Sequence, residues 1–550
     1  MNGTQLIADI LKQEGTEYLF CFPDNQIIDP CAEVGIRPML ARTERTVIAM
    51  ADGYSRMTNG RKIGVAAVQH GPGAENSFGG VAQAFSDSTP LLFLPQQTGT
   101  HRLGQNPEFD SVVNYREITK WATRIQSPDR VASTLRRAYT YLRLGRPGPV
   151  LVETPRDLLA LEITDESKLQ YQPVNGARTA ADPEGVRQAA ALLMAAKRPV
   201  IHAGQGVLYA EATNELVELA ELLSAPVMTT LPGKSGFPES HPLSLGSGGH
   251  SGPEALAQYL GEADLIFGIG TSMTSSLFAA PIPPGKRIIH STIDDRDVNK
   301  DVIAECVLLG DAKLVLRQLI EAISGSAATS EQADKKEKLR SIERLVDLKR
   351  KTAEDWRPAF QSDEVPINPY RVIGELMDAL DPFTTVITHD AGKPRDQLTP
   401  FWKSDVPRSF LGWGKSTHLG YGLGLALGAK LAAPEKTVVN VMGDCAIGMT
   451  GMDIETGVRL GIPILTIILN NSSMSYYEIP YPTASERYGF KYLSGNYYLM
   501  AQALGAWSAR IDRPEDIKSA LGSALAAMAD GRPAVIEVIS KEEPALQKPW

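Results

Sequence analysis

Cysteine is scarce: there are four in 550 residues, Cys21, Cys31, Cys306 and Cys445, none in CxxC spacing. Neither a disulfide framework nor a zinc site is therefore expected. Long apolar runs are missing too. No stretch approaches the ~20 residues needed to span a bilayer, and the opening MNGTQLIADILKQEG reads as an amphipathic helix rather than a secretory leader. A cytoplasmic protein without a membrane partner is the expectation. Positive charge is in deficit, with 55 Lys and Arg against 64 Asp and Glu and a net charge of −9, which argues against nucleic acid or an anionic surface as the main partner. A local basic pocket for phosphate stays compatible with that balance. Charged residues at 22% and hydrophobic residues at 43% are those of a folded globular protein, and the length is too great for one core, which predicts three domains.

What the chain does contain is centred on Val438–Glu478, VVNVMGDCAIGMTGMDIETGVRLGIPILTIILNNSSMSYYE. Two β-branched apolar runs, Thr437–Met442 and Ile462–Leu469, end in the polar clusters Gly443-Asp444-Cys445 and Asn470-Asn471, with a helix-like segment between them. The pattern predicts a βαβ unit whose strand ends share one edge, so that Asp444 and Asn471 converge on a hard cation such as Mg²⁺. Each cluster alone is common turn chemistry. Together, with 24 residues between Cys445 and Asn470, they resemble the thiamin-diphosphate (ThDP) fingerprint: Gly-Asp-Gly, about two dozen residues, then Asn-Asn. Cys445 replaces the second glycine, a change the site tolerates if the backbone there has negative φ.

Around this centre the chain predicts an α/β protein. Strand-like runs at Glu17–Phe22, Ile63–Val68, Pro90–Leu94 and Val150–Glu153 alternate with helical patterns, giving a doubly wound domain over 1–166. After a polar stretch, RPVIHAGQGV, APVMTT, ADLIFGIG and KRIIHSTIDD supply a second α/β domain over 183–325. A Lys/Glu-rich segment, 326–366, spaces Leu339, Ile342, Leu345 and Leu348 as a connecting surface helix would. The remainder, 367–550, holds six strand-like runs: TTVITHDAG, RSFLGWG, TVVNVMGD, PILTIILNN, AWSARID and PAVIEVIS.

The blocks ARTERTVIAMADGYSR, AAVQHGPGAENSFGGVAQAFSDSTPLLFLPQQ and GRPGPVLVETPRD resemble the pyrimidine-binding domain of the acetolactate synthase and benzoylformate decarboxylase superfamily. GKSTHLGYGLGLALGAKLAAPEKTVVNVMGD resembles its diphosphate-binding approach. The resemblance covers nearly the whole chain and implies three doubly wound parallel-sheet domains: pyrimidine-binding, central and diphosphate-binding. It implies that Glu44, otherwise an ordinary dipole-favoured residue at a helix start, touches N1′ of the aminopyrimidine and so lets N4′ take the proton from thiazolium C2. Relatives often have His before this glutamate; Thr43 stands here. Gln69, His70 and Asn25 are further catalytic candidates, with Gln97 of the same standing, although a lone His is commonly structural or solvated.

By the same resemblance Thr417, Leu419, Gly443, Asp444, Cys445, Ala446, Asn471, Ser473 and Met474 bind the cofactor. Asp444, Asn471 and a main-chain carbonyl near Ser473 hold Mg²⁺, and Leu419 props the cofactor into its bent form. Gly414, Gly420 and Gly422 are expected to let the backbone approach it. Where relatives often show a Gln-His pair after the strand ending at Asp390, Ala391-Gly392-Lys393-Pro394 stands instead, which leaves the diphosphate contacts of that loop open. Some relatives hold FAD or an ADP group in the central domain; Thr271–Ser276 lacks the arginine that flavin-holding relatives tend to show, so no flavin is expected.

The expected activity is that of a ThDP- and Mg²⁺-dependent lyase or carboligase acting on a small-molecule 2-oxo acid. A 2-hydroxyacyl-CoA lyase and a non-catalytic ThDP-binding scaffold are the alternatives. The family implies a homodimer or homotetramer with sites shared between subunits. Resembling acetolactate synthases carry Phe-Gln where this chain has Asn106-Pro107; the missing amide predicts slow condensation of two pyruvates.

Overall fold

The computed structural model describes residues 1–249, 251–276, 279–326 and 332–544. Among them eighteen strands form three six-stranded sheets. The first sheet uses β1 Tyr18–Cys21, β2 Arg37–Leu40, β3 Gly64–Val68, β4 Leu91–Gln97, β5 Trp121–Arg124 and β6 Val150–Pro155. The second uses β7 Pro199–Ala203, β8 Val227–Thr230, β9 Ser244–Gly248, β10 Leu265–Ile269, β11 Arg287–Thr292 and β12 Cys306–Leu309. The third uses β13 Thr385–His389, β14 Phe410–Leu411, β15 Thr437–Gly443, β16 Leu465–Asn470, β17 Trp507–Ile511 and β18 Ala534–Ile539. Neighbouring strands run parallel throughout. Helices cover both faces, which is why inner strands such as β3, β10 and β16 are buried along their whole length and read as unbroken apolar runs.

The first sheet has the order β2-β1-β3-β4-β6-β5 and the third β14-β13-β15-β16-β18-β17, the same winding when each is counted from its own first strand. The second runs β12-β11-β10-β7-β8-β9. In each sheet the chain crosses from one side of its first strand to the other, between β1 and β3, β7 and β10, and β13 and β15; in the first and third it also doubles back at the far edge, where β6 and β18 insert beside β5 and β17. At such crossings the loops leaving the carboxyl ends of adjacent strands diverge and leave a crevice.

The sequence predicts four strands in each of the first two sheets, where the structure has six. The four additional ones, β2, β5, β9 and β12, are all sheet edges. An edge strand pairs on one side only and stays partly exposed, as in β2, β5 and β12, or is diluted by glycine, as in β9, so it lacks the apolar run that marks an inner strand. The expected connecting helix spans Gln332–Phe360. Leu345 is buried against the second unit and Arg344 forks onto Glu262 at 2.9 and 2.7 Å. Residues 327–331 and the Leu339 side chain lie outside the described residues.

The first and third units are joined by two helices, Glu44–Met57 and Tyr421–Ala432, whose backbones touch. A Cβ on Gly53 would lie 2.1 Å from the Leu425 carbonyl oxygen, and one on Gly428 2.0 Å from that of Met50. A single apolar core continues across the contact, from Phe20 and Met50 to Leu425 and Ile447.

Candidate active site

The crevice of the third sheet is a cavity of about 330 Å³. The loop after β13, the helix Asp444–Thr450 after β15 and the loop after β16 wall it. Gly443, Asp444, Cys445 and Ala446 line it from one strand end, Asn471, Ser473 and Met474 from the next, and Thr417 and Leu419 from the segment before the helix Tyr421–Ala432. All nine residues expected to bind cofactor thus face one space. Cys445 sits in the first turn of a right-handed helix, where its side chain costs nothing that glycine would spare.

Asp444 is buried. Its Oδ1 accepts the Cys445 N–H at 2.8 Å, while Oδ2 is buried with no hydrogen-bond partner. Burial pushes this carboxyl above its ordinary pKa. Across the strand ends the Asn471 amide oxygen accepts the Ser473 N–H at 3.0 Å and its Nδ2 donates to Ser475 Oγ at 2.7 Å, which fixes the side chain. Ser473 Oγ donates to Glu542. A buried carboxylate oxygen without a donor is costly unless a cation meets it. Among the described residues no three His, Cys, Asp or Glu side chains converge, so the oxygens available here are one carboxylate, one amide and the main chain. That set suits a hard divalent ion. Lys393, Arg395 and Lys541 also line the cavity. The Lys393 ammonium rests 4.7 Å from the Tyr476 ring centroid, Arg395 pairs with Asp396 at 2.8 Å, and Lys541 pairs with Glu543 at 2.7 Å. A diphosphate fits a wall of this composition.

Asp390, at the end of β13, was not singled out by the sequence as a site residue. Its buried carboxylate accepts the N–H groups of Ala391 at 2.8 Å and of Gly420 and Gly422 at 2.9 Å, tying two cavity walls together. Burial raises its pKa to about 6. The preceding His389 stacks on Trp413 with ring centroids 5.3 Å apart, and burial lowers its pKa to about 3, so it is neutral at pH 7. The three glycines expected to admit the cofactor do other work. Gly422 packs against β13 and β15, where a Cβ would lie 2.6 Å from the His389 carbonyl oxygen, Gly414 and Gly420 take φ of +124° and +83°, and none of the three lines the cavity.

In the first sheet Asn25, from the loop after β1, donates from Nδ2 to the carbonyls of Val68 at the end of β3 and Leu94 within β4, both at 2.9 Å, and accepts the Ile27 N–H at 3.2 Å, so its amide is engaged by the main chain. Glu44 opens the helix Glu44–Met57 after the Thr43 cap, is buried, and accepts from Asn76 Nδ2 at 3.3 Å. Gln69 and His70 follow β3, half-buried, with His70 Nδ1 unpartnered. Gln97, at the end of β4, donates to the Gly99 carbonyl at 2.9 Å. Neither Glu44 nor Asn25, Gln69, His70 or Gln97 lines the cavity of the third sheet. A second cavity, about 260 Å³, occupies the crevice of the second sheet beside Gly204, Gly206, Gly270 and Thr271 and reaches Lys415 of the third unit.

Comparison with known proteins assigns all three units. Residues 1–115 match the family model of the thiamine pyrophosphate enzyme N-terminal TPP binding domain, 186–319 that of the central domain, and 390–538 that of the C-terminal TPP binding domain. A probable acetolactate synthase large subunit of Methanococcus aeolicus is 32% identical over 96% of this chain and 90% of its own length. The acetolactate synthase isozyme 3 large subunit of Escherichia coli K12 is 29% identical over 98% of this chain and 94% of its own. An acetolactate synthase of Mycobacterium bovis is 30% identical over 96% and 86%.

Proposed function

The chain belongs to the thiamine pyrophosphate enzymes of the acetolactate synthase type, and from that premise we propose that it takes a 2-oxo acid as donor and transfers the acyl fragment left after decarboxylation to a second carbonyl. The observation that carries the reading is Asp444 Oδ2, buried and unpartnered at the open crevice of the third sheet. With Asn471 and the Ser473 carbonyl it would hold Mg²⁺, and that ion together with Lys393 would offset the charge of a diphosphate. Bound thiamin diphosphate supplies a nucleophilic carbon for the donor carbonyl and an electron sink once carbon dioxide leaves. Leu419 presents an apolar wall against which the cofactor's rings would pack. The carboxyl of Glu44 would hold a proton shared with a ring nitrogen of the bound cofactor.

Because Glu44 does not reach the cavity within its own chain, we assign it to the cavity of a second copy, in a homodimer or a pair of such dimers. Asn25 serves as scaffold, its amide being fully engaged, and His70 remains the group available to donate to an oxyanion. Asn106-Pro107 offers no amide side chain from the proline position, so the preferred acceptor is a carbonyl compound other than pyruvate.

Titration with thiamin diphosphate and Mg²⁺ tests the site: wild type retains both, and Asp444→Ala, folded by circular dichroism, loses them. Equal affinity in the two proteins rules out the metal assignment. An acetolactate assay at saturating pyruvate tests the acceptor, since turnover of about 10 s⁻¹ or more would return pyruvate to that role.

A further inference from the structure

The segment between β14 and the helix Tyr421–Ala432 carries Thr417 and Leu419 into the cavity, yet its backbone is held by side chains of the first unit. Both carboxylate oxygens of Asp87, at the end of the helix Pro72–Ser86, accept main-chain N–H groups: Gly414 at 3.0 Å and Lys415 at 3.2 Å. Gln83, one turn earlier, accepts the His418 N–H at 3.2 Å and donates to Asp87 at 2.7 Å. Arg45 donates to the Leu419 carbonyl at 3.2 Å. The helix also presses on the segment from the side, since a Cβ on Gly79 would lie 2.3 Å from the His418 ring.

Asp87 and Gln83 are themselves buried and fixed. Arg56 lies 3.5 Å from Asp87 while its fork holds Asp52 at 2.8 and 3.0 Å, and Gln205 of the second unit donates to the Asp87 carbonyl at 2.6 Å. The segment needs such restraint, because Thr417 sits at φ +54°, a conformation that a β-branched residue adopts only when its surroundings impose it.

We propose that Asp87 and Gln83 are positioning residues for the cofactor: through the main chain of 414–418 they set Thr417 and Leu419 at the depth where the cofactor's rings pack. This rests on the reading that the cavity holds thiamin diphosphate. The diphosphate end is untouched by either residue, because Asp444, Asn471 and Lys393 belong to other segments. The two ends of the cofactor therefore respond differently when the clamp is removed.

The test compares two probes by calorimetry, thiamin diphosphate with Mg²⁺ and inorganic pyrophosphate with Mg²⁺, the second lacking the rings. Asp87→Ala is expected to weaken thiamin diphosphate tenfold or more while pyrophosphate stays within twofold. Asp87→Asn, which keeps one acceptor oxygen, is expected to fall between Asp87→Ala and wild type. Gln83→Leu is expected to split the probes in the same direction, and it decides the matter if Asp87→Ala does not fold. Loss of both probes together, or of neither, in a variant that melts like wild type overturns the positioning role. A wild type that binds no thiamin diphosphate overturns the reading of the cavity instead.

Discussion

Glu44 and Asp444 divide the proposed chemistry, and a one-atom change separates their roles. Glu44→Gln keeps the size and the helix start, so thiamin diphosphate is expected to stay bound while proton–deuterium exchange at its C2 slows by orders of magnitude, since only a carboxyl can carry the proton on N1′. Nuclear magnetic resonance of quenched samples reads this exchange directly; an unchanged rate would falsify the role. At this scale the sequence was informative where residues adjacent in the chain act together. The strand-end residues Gly443, Asp444, Cys445 and Ala446 and, from the next strand, Asn471, Ser473 and Met474 face one cavity because both groups stand at the carboxyl ends of adjacent parallel strands and so emerge on one edge. Asp87 was not legible. Its partners in the cavity segment, the Gly414 and Lys415 N–H groups, lie 327 and 328 residues away and are main-chain amides, which carry no side-chain signature. Asp390 was hidden for the same reason, its task being defined by the N–H groups of Gly420 and Gly422.

Among elements, inner strands were legible in all three sheets, whereas the edges of the first two were not, because burial on both faces writes an apolar run into the sequence and an edge does not require one; the edges of the third, β14 and β17, were legible from RSFLGWG and AWSARID. The pairing of Glu44–Met57 with Tyr421–Ala432 was equally hidden, although its glycines were in view: Gly428 looks like a weak point in a helix until the backbone of Met50 is seen against it. Two alanine substitutions should then have opposite signs. Gly428→Ala drives a methyl into a carbonyl and is expected to cost ~1–3 kcal/mol or more by overpacking. Gly522→Ala, inside the helix Ile517–Ala529 with nothing within 4 Å of the new methyl, is expected to gain ~0.5–1 kcal/mol from helix propensity. Urea titration of both variants measures the pair, and a stabilising Gly428→Ala would show that the helices can separate without loss.

For the whole molecule the separation of Glu44 from the cavity has a direct test. Glu44→Ala and Asp444→Ala are each expected to be inactive, and mixing them after reversible dissociation should restore activity in a fraction of the mixed assemblies, because one kind of shared site then has both residues intact. Mixed assemblies proven by mass spectrometry yet without activity would place both residues in the same chain's site.

Two sheets wound in the same order treat their buried polar groups differently: the Asn25 amide is engaged by the main chain of β3 and β4, whereas Asp444 Oδ2 has no hydrogen-bond partner. A ligand that meets Asp444 stabilises the state that binds it, by about 2.7 kcal/mol at a hundred times its dissociation constant. Cofactor supply is therefore expected to set how long the chain resists proteolysis. Starved of cofactor, the protein should be cut first in 471–496, the stretch of loops around the short helix Pro482–Tyr488 where Ile479 is 73% and Tyr488 83% exposed, and loading should protect those bonds before any in the first sheet. Limited proteolysis with mass mapping reads the order of cuts, and first cleavage elsewhere would uncouple lifetime from loading.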